Sequence, residues 1–175
     1  MADINEFRNG MARLAGAVNV VTTDGVGGMA GITATAVCSV TDQPPTLLVC
    51  MNRNSHAHPV FVRNGQLCVN VLAAEQQDIS SLFANRSVPM DERFQRIRWS
   101  RLSTGSPLVA DALVNFDCRI VQVHEAGSHS VFLCEVVRVL HGDAAAGLVY
   151  FDRQYHEVGV PAAGADIGSP TPAAA

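Results

Sequence analysis

Several groups of residues in this 175-residue chain carry side chains able to hold a small molecule. The first is a row of hydroxyls. Residues 30–41 read as one β-strand, and alternate residues of a strand share a face. Gly31, Thr33, Thr35, Val37, Ser39 and Thr41 then lie on one side, with Ile32, Ala34, Ala36, Cys38 and Val40 on the other. Four hydroxyls in line suit a flat polar ring system, which takes hydrogen bonds from hydroxyls and backbone amides. They suit equally a solvated sheet face, where threonine is common.

The loop Asn52-Arg53-Asn54-Ser55-His56-Ala57-His58-Pro59 precedes an expected helix. Amide, hydroxyl and cationic groups at such a place fit a phosphate. Ser55 fits an ordinary N-cap as well. Metal binding by His56 and His58 is disfavoured, because no Asp, Glu or Cys nearby completes a ligand set. His129 stands in Gly127-Ser128-His129-Ser130, a turn between two long strands, where it either reaches a ligand or is a plain exposed turn residue. Tyr150, Arg153 and Tyr155 offer a cationic and aromatic clamp, or else surface and interface residues.

Gly25-Val26-Gly27-Gly28-Met29-Ala30 matches a variant of the dinucleotide fingerprint. That fingerprint works only where a helix begins, so that its N-terminus meets the pyrophosphate. Here Ile32, Thr33, Thr35 and Val37 follow and favour a strand, so the segment reads as a hairpin turn. A nicotinamide dinucleotide would have to bind in another way. There is no G-x-S-x-G elbow and no cysteine paired with a histidine, which disfavours hydrolase chemistry. No residue stands out as a general acid.

These groups need a frame. Ile4, Phe7, Met11, Leu14 and Val18 recur every three or four residues, an apolar helical stripe capped by Asp3 and closed near Gly16. Residues 18–23 are strand-like, 24–28 a turn, and Asp42-Gln43-Pro44-Pro45 stops the strand that starts at Ala30. Residues 46–52 and 67–72 read as strands, with a short helix between them that ends at Gly65. Residues 75–84 form a helix with Ile79, Leu82 and Phe83 on its apolar side. Residues 85–107 look irregular, pinned to the core by Phe94, Ile97 and Trp99. Strands follow at 113–124, 130–141 and 148–151. Short strands with turn chemistry between them suggest an antiparallel barrel or sandwich. Residues 1–158 are expected to form one domain. Residues 159–175, rich in Ala, Gly and Pro, are expected to be a disordered tail.

Hydrophobic content is 48% and charged content 16%. So little charge suggests that part of the surface is covered in an oligomer. The net charge of −4 and the absence of a Lys/Arg run disfavour nucleic acid. Asp3, Glu6 and Arg8 argue against a signal peptide, and no uncharged apolar run reaches the ~18 residues of a membrane span. The five cysteines are odd in number and lie in apolar, strand-like segments. They read as buried thiols in a reducing cytoplasm, with no metal site.

The segment Gly31-Ile32-Thr33-Ala34-Thr35-Ala36-Val37-Cys38-Ser39-Val40-Thr41, with Pro44-Pro45, Leu47-Leu48-Val49-Cys50, Asn52 and Ser55, resembles the signature of the flavin reductase-like family. Gly127-Ser128-His129 before residues 131–136 resembles its G-[DST]-H hairpin, with Ser128 where Asp is frequent. Residues 148–156 resemble its last strand. The resemblance runs from Asn9 to about His156. It is similar to two subgroups, the reductase component of 4-hydroxyphenylacetate 3-monooxygenase, which is favoured, and the flavin reductase of pyrimidine utilisation. Phe116-Asp117-Cys118-Arg119 leans towards the second.

The resemblance implies a mostly β, FMN-binding split barrel that forms a homodimer with flavin near the dimer interface. It implies hydride transfer from NADH or NADPH to FMN or FAD, and delivery of reduced flavin to a separate oxygenase. By position, Thr33, Ala34, Thr35, Cys38, Ser39, Val40 and Thr41 would hold the ring and ribityl chain. Asn52, Ser55, Phe83 and Ala84 would lie near the phosphate, and His129, Tyr150, Arg153 and Tyr155 would meet the nicotinamide nucleotide. A non-catalytic flavin carrier on the same barrel is the rival. A flavin oxidase of the pyridoxamine-phosphate type would need a more basic phosphate pocket.

Overall fold

A computed structural model describes residues 2–159. The segment expected to be a disordered tail lies outside the described residues, save Gly159. Along the chain run α1 (Ile4–Ala12), β1 (Gly16–Ala17), β2 (Asn19–Thr23), β3 (Ala30–Ala34), β4 (Val37–Asp42) and β5 (Pro45–Asn52). Then come α2 (His58–Asn64), β6 (Gln66–Val71), a 3-10 turn (Ala74–Gln76), α3 (Gln77–Ala84), α4 (Met90–Gln95), β7 (Trp99–Arg101) and β8 (Pro107–Val109). The chain closes with β9 (Val114–Ala126), β10 (His129–His141), β11 (Ala146–Phe151) and β12 (Gln154–Gly159). The protein is thus mostly β with short helices. None of its described helices is long and apolar enough to cross a membrane.

The main sheet has seven strands in the order β3-β2-β6-β9-β10-β5-β4, all antiparallel. Its two edges, β3 and β4, are consecutive in the chain and joined only by Thr35 and Ala36. The sheet therefore curls round until its edges meet at that corner, which leaves a barrel split between β3 and β4. This corrects the reading of residues 30–41 as one strand. The shared face does not run through. Gly31 and Thr33 point towards α3, whereas Val37 packs against the barrel interior.

Alternation along β2 separates two cores. Val21 joins the interior, with Val49, Met51, Leu67, Val69, Phe132 and Phe61 of α2. Val20 faces outward into a second cluster with Leu72, Phe83, Phe94, Val109 and Leu148, beneath α3 and α4. Phe61 is fully buried, so truncating it to alanine would cost about 3–5 kcal/mol. Asn70, also fully buried, satisfies its amide on Val20 O (2.7 Å), Val109 N (2.9 Å) and Asn115 Nδ2 (2.8 Å), and so pins β8 to the barrel.

Several expectations hold. Asp3 caps α1 by accepting from the amides of Asn5 and Glu6. Gly65 ends α2 at φ 65°, and residues 24–29 form a turn into β3 rather than into a helix. Others change. The stripe of α1 meets no core, since Ile4, Phe7, Met11 and Leu14 are all exposed. The segment read as irregular contains α4 and β7, and the chain gains β12. Cys38 is exposed on the edge strand β4, and Cys50 is half-buried on neighbouring β5, where it borders the split; only Cys68, Cys118 and Cys134 are buried.

Candidate functional site

At the split, the corner and the elements around it enclose a cleft of about 550 Å³. One wall is Gly31, Ile32, Thr33 and Ala34 of β3 with Thr35 and Ala36 of the corner. Opposite lie Cys50, Met51 and Asn52 at the end of β5, then Asn54, Ser55, His56 and Ala57 of the loop. Phe83 and Ala84 of α3, Arg86, Met90 and Arg93 close one end, and His129 lies beside Asn52. Among the described residues, no carboxylate lines this cleft, while Arg86 and Arg93 do. A second cleft of about 730 Å³ carries Glu75, Asp78, Asp111 and Asp143, and would repel an anionic ligand.

The close fit of β3 on α3 shapes the wall. Thr33 Oγ1 donates to Ser80 O at 2.6 Å, so this hydroxyl ties strand to helix. Beyond it the ladder stops. The carbonyls of Thr35 and Ala36 accept from Val37 N and Cys50 N, both at 2.9 Å. Among the described residues, the amides of Thr35 and Ala36 donate to no protein acceptor. Two free N–H groups therefore stand at an exposed corner of the cleft, able to bind a polar ring edge or a developing negative charge.

The loop opposite is held by its own bonds. Asn52 Oδ1 accepts from Asn54 N at 2.8 Å, Ser55 N donates to Asn52 O at 3.0 Å, and Ser55 Oγ accepts from Ala57 N at 3.3 Å. Ser55 is thus not the N-cap of α2; Ala57 holds that position. His58 turns from the cleft to Ser130 Oγ (2.9 Å) and the Phe132 ring. Burial lowers its pKa, Arg53 lowers it further, and Glu125 opposes them. Burial, and then the neighbouring Cys38 thiol, raise the pKa of Cys50.

Of the expected site residues, Thr33, Ala34, Thr35, Asn52, Ser55, Phe83, Ala84 and His129 come together in this cleft. Cys38, Ser39, Val40 and Thr41 do not line it. They lie past the corner on β4, exposed, on the far edge of the sheet. Tyr150, Arg153 and Tyr155 do not line it either. Tyr155 OH is bonded to Ser80 Oγ (2.9 Å), the Tyr150 ring rests on Tyr155, and Arg153 reaches Asn9 Oδ1 (2.6 Å) beside α1. Asp152 and Arg153, at φ 49° and 63°, make the tight β11–β12 turn that directs them there. His56 comes from the loop read as fitting a phosphate, whereas sequence reasoning did not assign Cys50, Met90 or Arg93 to the site. The signal for the last two was the short helix at residues 90–95, hidden in a stretch read as irregular.

Residues 11–159 match the flavin reductase like domain family. A relative from Variovorax paradoxus (strain S110), FMN reductase (NADH) RutF, is 57% identical over 156 residues, 89% of this chain and 86% of its own length. BorF, the flavin reductase component of a bacterial two-component tryptophan halogenase, superposes with a TM-score of 0.84 at 34% identity, over 90% of this chain and 99% of BorF. The NADH:FAD oxidoreductase SgcE6 of Streptomyces globisporus C-1027, solved with NAD and FAD fragments, gives a TM-score of 0.83 at 28% identity, over 92% and 95% of the two chains.

Proposed function

The chain belongs to the flavin reductase-like family, and we propose that it is an NADH-dependent FMN reductase whose cleft at the barrel split holds the flavin. The observation that carries this reading is the amide pair of Thr35 and Ala36, free among the described residues, in a cleft to which those residues bring no carboxylate. The residues fit the group. Amide donors at the corner suit the polar edge of the ring, Cys50 and Met51 offer apolar contact, and the buried Arg93 at one end suits a phosphate.

Flavin and nicotinamide nucleotide, when bound, supply the hydride acceptor and donor. The chain's part is to bind, orient and exclude water. Thr35 and Ala36 offer preorganised N–H groups where negative charge arrives, so no acid–base side chain is needed. Asn52 and Ser55 define the loop wall. His129, half-buried and next to Asn52 on β10, would hold the nicotinamide nucleotide against the flavin.

The FMN reductase relative supports FMN and NADH as substrates, and supports the pyrimidine-utilisation subgroup over the 4-hydroxyphenylacetate one. The likeness to BorF supports delivery of reduced flavin to a separate oxygenase. Free thiols at all five cysteines suit a reducing cytoplasm. A homodimer is supported by the uncovered apolar residues of α1, by Val121 and Val123 near the turn end of the β9–β10 ladder, and by Val137, Val139 and Leu140 towards its other end. Light scattering should give twice the 18.6 kDa chain mass; the mass of one chain would contradict the dimer. Anaerobic mixing of NADH, FMN and catalytic protein should bleach the flavin absorbance. Bound flavin that NADH does not bleach would mark a carrier instead.

A further inference from the structure

We infer that Arg93 makes the carbonyl end of α3 compatible with an anion, and so sets the preference of the cleft for phosphorylated flavin over riboflavin. This rests on the flavin reading above. Helix α3 ends at Ala84, and Phe83 and Ala84 line the cleft. A helix C-terminus presents unpaired carbonyls and carries partial negative charge, which repels a phosphate. The opposite sign is needed there.

Arg93 supplies it from α4. Its side chain is buried, at 8% exposure, and lines the same cleft. Nη1 donates to Phe83 O at 3.0 Å, Nη2 to Asn85 O at 2.7 Å and Nε to Val88 O at 2.9 Å. All three acceptors are neutral carbonyls, and among the described residues no carboxylate forms an ion pair with Arg93. A buried charge without a counter-charge is costly. The guanidinium satisfies the helix end and brings an uncompensated positive charge to the wall of the cleft that Phe83 and Ala84 also line. Three bonds hold the planar fork in place, so little ordering remains when an anion binds. Phe94, packed edge-on to Phe83, fixes α4 against α3 and so fixes Arg93.

The test compares dissociation constants for FMN and riboflavin, by flavin fluorescence at low and high salt, in wild type, Arg93→Met, Arg93→Lys and Arg86→Gln. Wild type should prefer FMN, and salt should erode that preference. Arg93→Met should weaken FMN about tenfold or more while riboflavin moves less than about threefold, as expected for loss of a charge that acts on phosphate. Arg93→Lys, which keeps the charge without the fork, should retain part of the preference. Parallel weakening of both flavins in Arg93→Met would make Arg93 a wall-building residue only and overturn the inference. Should that variant not fold, Arg86→Gln decides. The exposed rim arginine should be dispensable for most of the preference, and loss of the preference on its removal would overturn the role of Arg93. Wild type that binds neither flavin would overturn the flavin reading itself, and this role with it.

Discussion

A Cβ placed on Gly31 would stand 2.6 Å from Cε1 of Phe83. Strand β3 and helix α3 thus meet at a distance that only glycine allows. The Phe83 ring cannot swing aside freely, because it packs edge-on to Phe94 at 5.1 Å, which in turn packs on Trp99 at 6.0 Å. One wall of the cleft is therefore registered on the barrel through this contact.

Gly31→Ala should move α3 or Phe83 outward. Overpacking of this kind costs about 1–3 kcal/mol, so urea unfolding should shift to lower concentration. Flavin affinity should fall as well, because Phe83 and Ala84 line the cleft. Unchanged stability would show that the contact relaxes at no cost.

Thr33→Val removes the bond to Ser80 O. The loss should be about 0.5–1.5 kcal/mol of stability, with FMN affinity within about twofold of wild type. A large affinity loss at unchanged stability would return this hydroxyl to the flavin.

The fold was legible where chemistry was local. Asp3 as a cap, Gly65 as a helix stop, and the glycines at 24–28 as a turn need only neighbours along the chain. The continuity of residues 30–41 was not legible, since nothing in Thr35 or Ala36 marks a break. The break arises from barrel closure, a property of the whole sheet. The same corner explains why half of the expected hydroxyl row reached the cleft and half did not. Arg93 escaped notice because its partners are main-chain carbonyls, which no side-chain pattern reveals. Tyr150, Arg153 and Tyr155 suggested a clamp by residue type, and the family resemblance directed it to the nicotinamide nucleotide; on this chain they brace β11 and β12 against α1 and α3.

His129→Ala should raise the KM for NADH, with kcat falling too if orientation is lost, and change FMN affinity by less than about twofold. Paired flavin titrations and NADH kinetics at saturating flavin decide this. Collapse of flavin binding with normal NADH kinetics per bound flavin would move His129 to the flavin side of the cleft.

The buried thiols predict an alkaline limit to stability. Burial holds the pKa of Cys134 up at about 12 and raises those of Cys68 and Cys118 as well. An acid whose folded pKa is raised contributes stability that is whole below its unfolded pKa of 9.0 and is lost as pH rises towards the folded value. Between those limits each such thiol should cost about 1.4 kcal/mol per pH unit. Unfolding free energy should be flat in this respect from pH 7 to 8.5 and fall above 9. A weaker fall in Cys134→Ala would assign part of the slope to that thiol; an identical slope would remove it from the account.

Steady-state NADH oxidation with FMN, FAD, riboflavin or no flavin, side by side on the same preparation, decides whether this protein reduces flavin. Oxidation should depend on added flavin, with FMN giving the highest kcat/KM and riboflavin falling below it through KM. NADH oxidation that ignores added flavin, or no oxidation with any of the three, would contradict the flavin reductase reading.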